Sequence, residues 1–351
     1  MRFLLSQYLP GITRIESQHL VAVFMKSKNI LSFDQSQFSK VGELASQYSL
    51  ASRISDGDIF KTRKIEFISD PPVLASKAEI NSDPAHWLPL GIQLRQAKTY
   101  IVAQSPYLIA SKRTKGLVRD ILEKNPDLQI HFSTNSLAAA DHVIVASVSL
   151  KQQRQQLNQL KYNIYQFKPY PEDLETFVPR INQIGPSTGK ATAAKSERPR
   201  NSLHAKSLVI DGKVAVICTS NFDPRSAYLN SECAVIIHDP VFAQALEANI
   251  RRDMEPRNSW VVAEKKPFPL IGQINYLMAS VSGMLPVLDI WPNSHTSCFE
   301  LKDGKSPVNR THLEFYKRYK MVGIFPECDA SIVGIKTIAL KAVFGWATPI
   351  M

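Results

Sequence analysis

The chain has 351 residues, 44% of them hydrophobic and 21% charged, a balance that fits a soluble globular fold and excludes a wholly disordered chain. Its 42 Lys and Arg against 31 Asp and Glu leave a net charge of +11, which favours polyanionic partners: nucleic acid, anionic lipid headgroups or phosphate esters. The four cysteines, Cys218, Cys233, Cys298 and Cys328, form no Cys-x-x-Cys pair, so a zinc site is not expected and a reducing compartment fits best.

Residues 1–75 carry no clean repeat and no dense core pattern; VAVFM (21–25) reads as a strand, and the double proline closing FISDPP (67–72) marks a boundary. The first residues, MRFLLSQYLPGITRIE, hold a short apolar run broken by Pro10, a poor match to a signal peptide. From about residue 85 the pattern sharpens. PLGIQLRQA (89–97) has apolar residues at helical spacing, and TYIVAQSPYLI (99–109) reads as a strand running into a polar turn. TKGLVRDILEKN (114–125) reads as an amphipathic helix, LQIHFSTNS (128–136) as a strand, DHVIVASVSLKQQRQQLNQL (141–160) as a helix and YNIYQF (162–167) as a third strand. This alternation predicts an α/β fold, a sheet covered by helices. PSTGKATAAKSERPRNS (186–202) is a basic loop. Asp211-Gly212 between two apolar runs predicts a hairpin joining HAKSLVI to KVAVICT. ECAVIIHD (232–239) is a further strand, and PVFAQALEANIRRDM (240–254) a helix capped by Asp239 with Pro240 at its first position.

No stretch reaches the ~18–20 continuous apolar residues that span a bilayer. The longest, YLMASVSGMLPVL (276–288) and IALKAVFGWATPI (338–350), are too short, so a membrane contact is expected to be peripheral.

The chemistry concentrates in the hairpin. His204 and Lys206, two apart on a strand, face the same way, and the return strand ends at Thr219, Ser220 and Asn221. An imidazole, an ammonium, hydroxyls and an amide gathered at one sheet end make a site for a phosphate ester.

His204, Lys206 and Asp211, then Cys218-Thr219-Ser220-Asn221, resemble the His-x-Lys-x4-Asp signature of the phospholipase D superfamily and the Gly-Ser-x-Asn position that follows it. NFDPRSAYLNSECAVIIHDP, with SPYLI (105–109) and TNSLAAADHV (134–143) upstream and LPVLDIW (285–291) and CFELK (298–302) downstream, is similar to the bacterial cardiolipin synthase branch. The resemblance covers roughly residues 65–330. It implies a mixed β-sheet flanked by helices, one lobe of a normally two-lobed fold. An N-terminal segment 1–72, read as a remnant of the first lobe, would precede a catalytic lobe 73–262. A C-terminal extension 263–351 would pack on that lobe.

The mechanism so implied is a phosphohistidine at one His, with a second His protonating the leaving alcohol and activating the acceptor. The resemblance implies His204 as the nucleophile, Lys206 and Asn221 holding non-bridging oxygens beside Thr219, Asp211 orienting or anchoring, and Glu232 fixing an imidazole. Ser105, Tyr107, Asn135, Ser220 and Arg225 are the expected substrate contacts. No metal and no cofactor are implied, because protein cations carry the charge. The family Gly is Cys218 here, a side chain where close backbone approach is usual.

The mechanism needs two such motifs. His19, His86, His131, His142, His238, His295 and His312 all lack a Lys two residues on, so this sequence holds one. The chain resembles the C-terminal half of the complete enzyme, and a homodimer mate or a separate chain is expected to supply the other motif. The expected substrate is an anionic phospholipid, at a cytoplasmic location on the inner membrane. A homodimeric phosphodiesterase on nucleic acid and a catalytically weak membrane- or partner-binding half-enzyme are the alternatives.

Overall fold

The structure is a computed structural model that describes residues 60–62, 64–70, 87–141, 143–177, 200–228, 230–266 and 295–328. The strand expected at 21–25, most of the basic loop and the two longest apolar runs lie outside the described residues. In chain order the elements are β1 (Ile65–Ser69), α1 (Trp87–Arg95), β2 (Tyr100–Gln104), α2 (Lys112–Lys124), β3 (Gln129–Asn135), α3 (Val143–Asn158), β4 (Tyr162–Phe167) and α4 (Leu174–Phe177). They continue with β5 (Ser207–Ile210), β6 (Val214–Cys218), α5 (Pro224–Tyr228), β7 (Cys233–Ile237), α6 (Pro240–Asp253), β8 (Ser259–Glu264), β9 (Thr296–Leu301), α7 (Phe315–Arg318) and β10 (Tyr319–Gly323).

All these strands join one mixed sheet, ordered β1-β7-β6-β5-β2-β3-β4-β8-β9-β10. The pairs β2–β3 and β3–β4 are parallel, each crossing over through a helix, and the other pairs are antiparallel. The α/β expectation holds.

The central strands β2 and β5 are apolar on both faces because helices cover both. Ile101 and Ala103 of β2 pack with Leu90, Leu94, Val118, Ile121 and Leu157 of α1, α2 and α3. Val102, between them, points the other way and packs with Val209, Ala215 and the Ala243 and Ile250 of α6. Val102 and Val209 are fully buried, and a side chain so placed contributes about 1.5–3 kcal/mol.

Helix starts follow their caps. Ser111 Oγ accepts from Thr114 N at 3.1 Å and opens α2. Asp239 accepts from Phe242 N at 2.8 Å and opens α6, with Pro240 first, as the sequence predicts. The strand expected over 99–109 stops at Gln104, where Ser105-Pro106 turns the chain and Ser105 Oγ donates to Tyr107 O at 2.8 Å. Four strands were not assigned from the sequence: β1, β8, β9 and β10, all in the outer parts of the sheet.

Candidate active site

The β5–β6 hairpin turns at Asp211 and Gly212, both at positive φ (51° and 62°), with Lys213 N donating to Ile210 O at 2.9 Å. Gly212 is required twice over: its φ is left-handed, and a Cβ there would lie 2.9 Å from the Tyr100 hydroxyl. The Asp211 carboxylate accepts from the backbone N–H groups of Lys98 and Thr99 at 2.8 Å each and of Tyr100 at 2.9 Å. It therefore nails the hairpin to the start of β2. The four residues of β5, about 13 Å of strand, separate Asp211 from Lys206.

His204 and Lys206 do not lie on the strand either. β5 begins at Ser207, and residues 201–206 form an irregular segment running into it. The segment still meets the sheet, because Cys218 N donates to Lys206 O at 2.9 Å. The two side chains do come together: Lys206 Nζ is 3.0 Å from His204 Nδ1, 3.3 Å from its Nε2 and 2.8 Å from His204 O. An ammonium can only donate, so the imidazole lone pair receives it. Burial lowers the Lys206 pKa, and the carboxylates of Asp141, Glu232 and Asp223 oppose that shift.

Both side chains open into a cavity of about 760 Å³. Its wall also includes Ser69, Asp70, Thr219, Asn221, Asn230, Ser231, Glu232 and Cys233. Glu232 organises that wall. Its carboxylate accepts from the Thr219 hydroxyl and, at 3.0 Å, from Asn230 Nδ2. Its backbone N–H donates to Asp70 Oδ2 at 3.0 Å, and Asp70 N donates to Glu232 O at 2.8 Å. Thr219 and Asn230 are thus the donors its carboxylate takes from the described residues. Asn221 Oδ1 is buried with no hydrogen-bond partner, an acceptor left for a donor.

Cys218, at the family Gly position, turns its thiol away from the cavity. Sγ lies 3.5 Å from Lys206 O and from Ser220 O, and burial pushes its pKa up to about 12. Cys218 is not among the residues that line the cavity.

The expected substrate contacts divide. Ser105 is fully buried and ties two turns, accepting from Phe222 N at 3.2 Å. Tyr107 is buried and donates to Asp141. Ser220 is buried, with Oγ 3.3 Å from Asn221 O. Arg225 is exposed and reaches Asn230 Oδ1 at 3.3 Å, one residue removed from the cavity. Asn135 pairs with the backbone of Leu203. None of Ser105, Tyr107, Asn135, Ser220 and Arg225 lines the cavity.

Sequence reasoning missed Ser69 and Asp70. The alternation in IEFIS was the available signal for their strand. Ser69 pairs with Cys233 on β7, and one step further along the same face Phe67 pairs with Val235, which pairs with Ile217. Phe67 is 68% exposed, Ile65 56% and Ile217 43%, so an open apolar row runs up to the cavity wall.

Residues 90–254 match the family described as cardiolipin synthase, PLD-like domain. Cardiolipin synthase C of Escherichia coli is 36% identical over 120 residues, 34% of this chain and 22% of that protein. An uncharacterized protein of Helicobacter pylori is 28% identical over 158 residues, 45% of this chain and 28% of its own length. The match thus spans about a quarter of the length of these curated relatives. A crystal structure of Nuc, a phospholipase D family member from Salmonella typhimurium, is 12% identical with a TM-score of 0.36, covering 56% of this chain and 95% of that one. The matched segment holds His204, Lys206, Asp211 and all of the cavity wall except Ser69 and Asp70. Residues 90–254, just under half of the chain, are thus similar to a cardiolipin synthase, PLD-like domain.

Proposed function

We propose that the chain transfers phosphatidyl groups, or cleaves the same phosphodiester, through a phosphohistidine at His204. A second copy of the chain would bring the second histidine. The observation that carries this reading is the pairing of His204 and Lys206, 3.0 Å apart and open to one cavity, inside a cardiolipin synthase-like domain.

An imidazole nitrogen of His204 attacks phosphorus, a P–N bond forms and the P–O bond to the departing alcohol breaks. The departing oxygen takes a proton from the second imidazole. That imidazole then accepts the proton of the incoming alcohol or water, whose oxygen displaces His204. Lys206 exchanges its imidazole and carbonyl partners for non-bridging oxygens, where its charge opposes the growing negative charge. A donor on the bound substrate would satisfy Asn221 Oδ1.

Two observations favour a lipid over a nucleic acid. The chain is basic overall, but the charged side chains in the cavity wall are Lys206, Asp70 and Glu232, beside His204. A nucleic-acid strand needs a track of cations, and two carboxylates repel it. The apolar row of Ile65, Phe67 and Ile217 supports an acyl chain lying beside the reacting headgroup. No helix among the described residues is long and apolar enough to cross a membrane, so the contact proposed is peripheral.

The test is turnover on vesicles of phosphatidylglycerol, with product lipids separated by chromatography. Cardiolipin plus glycerol signals transfer, and phosphatidic acid plus glycerol signals cleavage. Protein denatured rapidly at neutral pH, where the P–N bond survives, should gain the mass of one phosphatidyl group on His204. No product from lipid, together with cleavage of single-stranded DNA, would replace this reading with the nuclease.

A further inference from the structure

We propose that Asn135 is a positioning residue that sets the backbone of His204. This rests on the reading of His204 as the nucleophile. His204 sits in a segment, 201–206, with no ladder of its own on the N-terminal side. Such a segment holds an attacking nitrogen in place only if something outside it fixes the main chain.

Two points fix it. On one side, Lys206 O accepts from Cys218 N at 2.9 Å. On the other, Asn135 at the end of β3 grips Leu203 with both halves of its amide. Its Nδ2 donates to Leu203 O at 2.8 Å, and its Oδ1 accepts from Leu203 N at 2.8 Å. Ser202 Oγ and Pro106 O lie 3.3 and 3.4 Å from the same Nδ2. Asn135 is 5% exposed and Leu203 9%, so water does not readily replace these bonds. The side chain imitates one rung of a sheet, extending β3 to a residue 68 positions away. His204 is the next residue along.

The chemistry explains the residue type. Only an amide offers a donor and an acceptor in the planar arrangement that matches a peptide N–H and C=O together. Asp keeps the acceptor for Leu203 N but sets an oxygen against Leu203 O. Gln keeps the head but places it one methylene further out. Because both amide ends are committed to Leu203, Asn135 acts on the reaction through His204.

The experiment compares wild type with Asn135→Ala and Asn135→Asp by two measurements. The first is hydrogen exchange at the Leu203 amide, which should speed up at least tenfold in Asn135→Ala and stay protected in Asn135→Asp, where the acceptor remains. The second is steady-state kinetics on phosphatidylglycerol vesicles. Displacing a nucleophile by about 1 Å costs on the order of 10²-fold, so kcat should fall about 10–100-fold in both variants while KM changes less than about threefold. A rise in KM with kcat unchanged would make Asn135 a substrate contact and overturn the proposal. Unchanged exchange at Leu203 in a folded Asn135→Ala protein would overturn it as well. If wild type proves inactive on phosphodiesters, the reading of His204 fails while the exchange result stands, so the two failures are distinguishable.

Discussion

Replacing Asp211 separates an anchor from a catalyst. The carboxylate holds three backbone amides at 2.8–2.9 Å. Those of Lys98 and Thr99 are in exposed surroundings, where water takes over at a loss of about 0.5–1 kcal/mol each. That of Tyr100 is part-buried, and losing a charged acceptor there costs about 1.5–3 kcal/mol. The left-handed φ of 51° adds about 1 kcal/mol against Ala. Asp211→Ala should therefore lose about 4 kcal/mol, a large share of the ~5–15 kcal/mol that holds a domain folded. Asp211→Asn tolerates the same φ and keeps one acceptor oxygen, so it should lose about 1–2 kcal/mol. Urea unfolding followed by fluorescence measures both, as a drop in midpoint at constant slope. The folded Asp211→Asn protein, assayed well below its unfolding temperature, should keep its kcat within about threefold, because β5 lies between Asp211 and the cavity. A variant as stable as wild type but slower by about 100-fold would refute the anchoring argument and put Asp211 at the reacting phosphate.

His204→Ala should abolish turnover on phosphatidylglycerol vesicles, since no other histidine has a Lys two residues on; residual activity above background would move the nucleophile elsewhere. Lys206→Ala should lower kcat about 10²–10³-fold, the loss for removing one placed charge-stabilising donor, with a KM effect alone counting against that role. When His204→Ala subunits are mixed with wild type, activity should fall as the square of the wild-type fraction; a linear fall would show that each chain works alone. Burial raises the Asp253 pKa from 3.8 to about 7. Between those values the native state holds a proton that the unfolded chain has released, so stability should fall as pH rises from about 4 to 7, by up to ~4 kcal/mol. Asp253→Asn should lack this slope, and urea midpoints of the two proteins that stay parallel from pH 5 to 8 would rule the effect out.

The sequence made the sheet centre legible because β2 and β5 carry apolar residues on both faces, β3 and β4 carry Ile130, Phe132, Tyr162 and Ile164 on one, and turn residues bound them. Asp211-Gly212 named its own turn, and Asp239-Pro240 its own helix start. The outer strands were harder. Ile65, Phe67 and Met321 are exposed apolar residues on strands at the sheet edges, so alternation there does not follow inside against outside. The site was legible in its residue types, since His204, Lys206, Thr219, Asn221 and Glu232 all line one cavity. Its wiring was not. That Glu232 would hold Thr219 and Asn230, and that Asn135 would grip Leu203, depend on partners 2 to 68 residues away, a matter of chain path that spacing does not encode.

The outer strands bear on what counts as the smallest foldable piece. Residues 90–254, cut free, would lose β1 on one side and β8, β9 and β10 on the other. β7, with the sequence CAVII, would then present a bare row of N–H and C=O groups next to apolar side chains, a template for adding strands from other molecules. β4 would be bared in the same way. Asp70 would go with β1, and with it the hydrogen bond that steadies the backbone of Glu232. The borders of the matched segment and the borders of the folding unit therefore differ. The residues flanking the match act as selvedges that keep the sheet from growing and hold one side of the cavity in shape.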